Sequence, residues 1–152
     1  MASAYAADGS AVSDRAYNGA ENVLVERMIG GAVLELIVGV TRGAPFGLAL
    51  TIGAGGVLVE LLDDSATLLL PATRADIARA LRSLRCFPLL DGYRGRPRGD
   101  VEAAVDAILA VARFAEANAR SLVELDVNPL LVLPTGAVAV DALIRLADGG
   151  SP

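Results

Sequence analysis

The stretch Glu124-Leu-Asp-Val-Asn-Pro-Leu130 holds the residue types best suited to chemistry in this sequence. In a strand, residues two apart share a face. Asp126 and Asn128 therefore point the same way, with Glu124 beside them if the pairing is regular, while Leu125 and Val127 face a core. A carboxylate and an amide oxygen side by side are hard donors of the kind Mg²⁺ takes, with phosphate oxygens and water completing the octahedron. Asp141 returns on the next arm of a hairpin centred near Thr135. The simplest register sets Leu133 opposite Ala137, which puts Asn128 opposite Ala142 and Asp141 on the wrong face. A bulge near Pro129 is then needed to gather the three. A plainer role also fits: Asp126 and Asn128 shape a turn before Pro129, and Asp141 is a surface charge. Spacing does not choose between the two.

Other candidates are weaker by themselves. Glu35 is the only charge in an otherwise apolar run, read either as a cleft-lining carboxylate on the same sheet face or as a solvated side chain. Gly53-Ala-Gly-Gly56 could cradle an anion through successive amides, but neither a helix nor a lysine follows it, so a hairpin turn is the simpler reading. Arg94, Arg96 and Arg98 could grip a phosphate or carboxylate or form a solvated loop. Cys86, beside Phe87-Pro88-Leu89-Leu90, reads as a small core residue.

Composition removes several classes of function. The 152 residues include no histidine and no lysine; all 13 basic residues are arginines, against 18 acidic ones. Schiff-base chemistry, a Walker-type lysine, a Ser-His-Asp or Cys-His nucleophile and a histidine-based zinc site are all excluded within this chain. A net charge of −5, with three Phe and three Tyr, argues against nucleic acid as a partner. The lone Cys86 precludes an internal disulfide and suits a reducing, cytoplasmic setting. The longest uncharged run, Gly43 to Val59, is broken by five glycines and Pro45 and reads as two strands rather than a membrane span.

The elements that must position these residues are mostly strands at first. Strands are expected over Val23–Ile29, Val33–Thr41, Phe46–Ile52, Val57–Leu62 and Thr67–Leu70, as an antiparallel meander. Thr73-Arg-Ala-Asp76 is a capping-box pattern ahead of Ile77, Leu81 and Leu84 at helical spacing. Asp100 is placed to cap a long helix with Val101, Val105, Ile108, Ala112 and Ala115 on its buried stripe. Strands through Leu125 and Val127, over Leu130–Leu133, and over Ala137–Ile144 close the chain. The expected class is α+β: a mixed, largely antiparallel sheet with two main helices packed on one face. Residues 1–21 are expected to be a disordered tail or an upstream remnant.

At this point the sequence resembles a family, the C-terminal part of the ATP-grasp domain of NDP-forming acyl-CoA synthetases, which are relatives of the succinyl-CoA synthetase β subunit. The matching pieces come in the family's order: Val25-Glu-Arg-Met28 with Gly31, Glu35 to Val40, Pro45-Phe-Gly47, Gly53-Ala-Gly-Gly56 with Val59-Glu60, Leu90 to Gly95 with Asp100, Glu124 to Leu130, and Val140-Asp-Ala142. The resemblance implies that residues 22–148 form the C-terminal ATP-grasp lobe. It also implies a reversible reaction: acyl-CoA, ADP and phosphate giving free acid, CoA and ATP. Mg²⁺ with ATP or ADP would be the cofactor, and Asp126, Asn128 and Asp141 the metal ligands. Glu35, Gly55 and Gly56 match family motifs as candidate cofactor-contacting positions.

The family's usual acidic residue before Pro-Phe-Gly is Ala44 here. The family's phosphate-binding lysine and phosphoryl-carrying histidine would have to come from an N-terminal ATP-grasp lobe and a CoA-binding domain or subunit. Alone, the chain is expected to bind nucleotide weakly and to turn nothing over. The alternative is a non-catalytic interaction or regulatory module, with an acyltransferase fusion as one source.

Overall fold

The computed structural model describes residues 4–5, 10–12, 26–56 and 64–147. The chain divides into two compact units, Met1–Gly31 and Ala32–Pro152. In the first, β1 (Ala4–Tyr5), β2 (Ser10–Val12) and β3 (Glu26–Arg27) pair antiparallel in that order. The first two lie in the stretch expected to be a tail, and the third lies inside the strand expected over Val23–Ile29.

The second unit is organised by β4 (Leu34–Gly43). Its alternation puts Leu34, Leu36, Val38 and Val40 in the core and leaves Glu35, Ile37, Gly39 and Thr41 on the opposite face. β5 (Gly47–Ala54) pairs on one side of it and β7 (Leu122–Val132) on the other. β6 (Ser65–Leu69) lies outside β5, while β8 (Ala137–Ala139) and β9 (Ala142–Leu146) both pair with β7. The order is β6-β5-β4-β7-β8, with β9 also against β7. The sheet expected to be mixed is antiparallel in every pairing of the described residues. The strand expected over Val57–Leu62 lies outside the described residues.

Between β6 and β7 the chain crosses one face as α1 (Arg74–Ser83), α2 (Phe87–Leu90) and α3 (Val101–Ala117). The capping box forms as expected: the Asp76 amide donates to the Thr73 hydroxyl at 3.2 Å, and the Thr73 amide to the Asp76 carboxylate at 3.0 Å. α2 is the addition to the two expected helices, a single turn admitted by Pro88 in its first positions, where a proline costs no helical bond. Ile77, Leu81, Val105, Ile108, Ala112 and Ala115 pack against the buried side of the sheet. All three helices therefore leave the other sheet face uncovered by helix. Arg42 closes the turn after α3 by donating to the carbonyls of Ala119 and Leu122, which fixes where β7 starts. Among the described residues no helix is long and apolar enough to cross a membrane.

Asp64, at 9% exposure the one buried charged residue described, ties the sheet to the helices. Its carboxylate accepts from the amides of Arg85 and Cys86, each at 2.8 Å, while its carbonyl accepts from Ala54 at 3.0 Å. Burial opposes its ionisation most, but the two amides, the Cys86 thiol and the Arg85 charge together outweigh it and hold the carboxyl below its ordinary range. Beside it, burial first and the Asp64 carboxylate second push the Cys86 thiol up to about 12.

Asp64→Ala strands two amides and should cost about 3 kcal/mol in a denaturant titration. Because the folded pKa of Asp64 is depressed, its contribution is complete above the unfolded value of about 4 and is lost as pH falls through the folded value. The wild-type and Asp64→Asn stabilities should therefore converge in acid. Cys86 should resist iodoacetamide at pH 8 in the native protein and react rapidly once the chain is unfolded.

Candidate functional site

The uncovered face of β7 presents Glu124, Asp126 and Asn128, while Leu125 and Val127 are buried on the helical side. Across from them, Glu124 is in register with Arg145, Asp126 with Leu143 and Val127 with Ala142. Continuing the same count, β8 sets Leu130 against Ala139 and Val132 against Ala137. Asn128 and Asp141 are therefore directly opposed. Two bonds hold the link between β8 and β9 there: Asn128 N–H to the Asp141 carbonyl at 3.1 Å, and Val140 N–H to the Pro129 carbonyl at 3.0 Å. Directly opposed residues in an antiparallel ladder carry Cβ atoms about 5 Å apart, on the same face.

This corrects the register expected from sequence by one residue. Val132, not Leu133, faces Ala137. The physical reason lies in the turn. Leu133 N–H bonds to the Gly136 carbonyl at 3.0 Å, closing a four-residue loop instead of a three-residue one. The Gly136 amide donates to Asp100 Oδ2 at 2.9 Å, while Asp100 Oδ1 accepts from Ala103 at 3.0 Å as the cap of α3. The Asp100 amide in turn donates to the Leu133 carbonyl at 2.8 Å. One carboxylate thus caps the helix and pins the hairpin. A bulge does exist near Pro129, but on the other side of β7: its pairing with β4 shifts between Leu36 and Val38, so Asn128 and Pro129 together face Ile37. The bulge is not what recruits Asp141.

The electrostatics of the face are those of crowded acids. Burial first, then the negative charges of Glu124 and Asp141, raise the pKa of Asp126. Glu124 is partly neutralised by Arg145 at 3.1 Å. Asp141 uses Oδ1 on the Ala142 amide at 2.8 Å. Among the described residues no three His, Cys, Asp or Glu side chains close into a ligand cage. The available donors are two carboxylates and one amide oxygen, which leaves any remaining positions around an ion to ligand oxygens and water.

Beside Asp126 lies Gly39, where an added Cβ would sit 3.8 Å from the Asp126 carboxylate. From there a shallow cavity of about 190 Å³ runs across the face, lined by Ile37, Gly39, Thr51, Gly53 and Ser65 among others. Beyond Ile37 on the same face of β4 the structure brings together Glu35, Gly55 and Gly56. The Gly55 amide donates to the Glu35 carbonyl at 2.7 Å, and a Cβ on Gly56, whose φ is +62°, would fall 2.8 Å from Glu35 Oε2. The glycines are needed so that this carboxylate can lie over the turn. The run is not an open anion cradle: two of its amides are already spent, Ala54 on the Asp64 carbonyl and Gly55 on the Glu35 carbonyl, and a negative group sits on top. Arg94, Arg96 and Arg98 belong to a separate loop, and Cys86 is core, as expected.

Sequence reading missed the second bond of Asp100, the Asp64 tie, and Gly39 and Thr51 as neighbours of the acids. Only Gly39 left a legible signal, a glycine inside an apolar strand, which often marks a close approach.

Because its folded pKa is raised, ionised Asp126 removes stability as pH rises through that value. Asp126→Asn should therefore raise the melting temperature at pH 7, and the gain should vanish in melts below about pH 4, where the unfolded carboxyl is also protonated.

The sequence profile of the ATP-grasp domain matches residues 2–146. The ADP-forming acetate–CoA ligase II of Archaeoglobus fulgidus is 43% identical over 115 residues, which cover 76% of this chain and 17% of that one. The β subunit of the ADP-forming acetate–CoA ligase II of Pyrococcus furiosus is 38% identical over 114 residues, 74% of this chain and 48% of that one. The chain thus spans about half the length of that subunit. A solved structure of the Ca. Korarchaeum cryptofilum dinucleotide-forming acetyl-coenzyme A synthetase 1, in complex with coenzyme A and Mg-AMPPCP, superposes with a TM-score of 0.75 at 34% identity, covering 83% of this chain and 58% of that one. Its phosphohistidine segment points towards its nucleotide binding site. With nearly its whole length matched, this chain belongs to the ATP-grasp domain family.

Proposed function

We propose that residues 22–148 act as the C-terminal ATP-grasp lobe of an ADP-forming acyl-CoA synthetase, supplying the metal-binding floor of its nucleotide site. The observation that carries this reading is the register of β7 with β8 and β9, in which Asp126 and Asn128 share the uncovered face and Asp141 stands opposite Asn128. The likeness to acetate–CoA ligases that form ATP from ADP supports it. So does the donor chemistry: two carboxylates and an amide fit Mg²⁺, and the raised pKa of Asp126 marks negative charge that a cation would relieve.

In this role Asp126, Asn128 and Asp141 would hold Mg²⁺ with ATP or ADP. When bound, the ion would neutralise charge on the phosphates during phosphoryl transfer, a reaction that depends chiefly on positioning and charge. The chain's own contribution is to keep those three side chains fixed on a rigid sheet and to leave a flat path beside them at Gly39, Thr51 and Gly53. Glu35, over Gly55 and Gly56, closes the end of that path as a candidate cofactor contact. Having no histidine or lysine, the chain would depend on an N-terminal ATP-grasp lobe and a CoA-binding domain or subunit for the phosphoryl-carrying and phosphate-binding side chains. Acyl-CoA and CoA would be met only in that assembly.

The test is reconstitution. Mixed with the N-terminal lobe and the CoA-binding subunit of an acetate–CoA ligase relative, the chain should restore acetyl-CoA-dependent ATP formation. Asp126→Ala and Asn128→Ala should each lower that rate roughly a hundredfold or more without lowering the melting temperature. A rate untouched by both substitutions would sink the metal assignment. Stable association with those parts and no Mg²⁺ dependence would instead favour the non-catalytic module. Asp100→Ala, far from any ligand role, should weaken the Mg²⁺ dependence as well, because it releases the hairpin that carries Asp141.

A further inference from the structure

Asp91–Arg98, between α2 and α3, is a motif from the sequence that neither the sheet nor the acidic face uses. It is a closed surface loop: the Gly99 amide donates to the Leu90 carbonyl at 2.9 Å and the Arg96 amide to the Tyr93 carbonyl at 3.2 Å. At Gly99 an added Cβ would press on Leu90, Val132 and Val33, so the base of the loop is closely packed. Gly92 and Gly95 take left-handed conformations, and so does Arg94, at φ 53°. Arg94 is the only non-glycine residue with positive φ among those described. Such a conformation is strained for a residue with a side chain, and strain of this kind concentrates at sites of function. Here it turns the guanidinium back over the Tyr93 ring, 5.4 Å from its centre.

The charges in the loop do not balance. Arg98 pairs with Asp91 at 3.5 Å and packs its stem over Gly92. Among the described residues Arg94 and Arg96 make no ion pair, so the loop offers an excess of positive charge on a chain whose net charge is −5. Residues 93–98 are exposed throughout, with Tyr93 at 49%. A small-molecule site is a concavity that buries its lining, whereas this is outward-facing surface. Tyrosine and arginine held in one rigid geometry are the side chains that dominate protein–protein contacts. Nucleic acid is the poorer fit, since the chain as a whole repels it.

We propose that the Asp91–Arg98 loop is a docking surface for the acidic face of a protein partner, with Tyr93, Arg94 and Arg96 as the contact residues. Steering by complementary charge and a bidentate grip on carboxylates account for the arginines, and the strained turn accounts for their orientation.

The probe is an oligo-glutamate peptide titrated into the full chain and followed by amide NMR, with EDTA present so that no divalent cation can bridge the peptide to the acidic face. Shifts should concentrate at Tyr93 to Arg98 and weaken as NaCl rises from about 20 to about 200 mM. Arg94→Ala with Arg96→Ala should weaken binding at least about tenfold. Gly95→Ala, which changes loop shape at φ +77° but no charge, should weaken it several-fold. Arg94→Gly relieves the strained backbone, so it should hold or raise the melting temperature while weakening binding; this opposite movement separates a docking role from a structural one. The proposal is overturned if shifts scatter over the other arginines, if Gly95→Ala binds as the wild type does, if oligo-dT outcompetes the peptide, or if sedimentation shows that the loop mediates self-association.

Discussion

A single carboxylate, that of Asp100, decides the geometry on which the candidate site depends. It receives the Ala103 amide at the start of α3 and the Gly136 amide in the β7–β8 turn. Both bonds, Ala103 first, hold its pKa below the ordinary carboxylate range. An anion at a helix N-terminus is favoured by the exposed amides and the helix dipole, so this carboxylate would be stable there whatever the hairpin did. Its second oxygen makes the difference: it holds a four-residue turn, and with it the register from Ala137 as far as Arg145. A slip of one residue would send the next strand's side chains to the opposite face, and Asp141 would leave the acids of β7.

The rest of the unit separates support from site. The helices cover one face of the sheet and take the large apolar side chains with them. Asp64 and Arg42 join Asp100 in making polar ties between the layers, each spending its hydrogen-bonding capacity on backbone groups. The other face is left with small residues and crowded acids, an arrangement that costs stability. The charge on Asp126 is opposed by burial and by two neighbouring carboxylates, and among the described residues only the Arg145 guanidinium on Glu124 offsets the crowding. Sites that work against the fold in this way are common where function is carried.

Several features were legible in the residues themselves. The strict alternation of β4, the capping box at Thr73 and the stripe of α3 are local patterns, and each formed as written. So did the shared facing of Asp126 and Asn128, because the period of a strand is two whatever it pairs with. The family motifs were legible as well, and the match over residues 2–146 agrees with them. The single-turn helix at Phe87, the antiparallel pairing of every strand in the sheet and the ion pair of Glu124 with Arg145 were not. Each depends on residues far apart in the chain or on packing around them.

The candidate site shows the same division. By itself the sequence determined which side chains lie on one face of β7, what chemistry a carboxylate and an amide oxygen can offer there, and what the chain must lack without lysine and histidine. Local periodicity and composition are enough for that. Only the tertiary structure decided that Asp141 joins them. Hairpin register is a choice between turns of nearly equal local merit, and it was settled by a bond from residue 136 to a carboxylate 36 positions earlier, a contact that exists only once α3 has packed on the sheet.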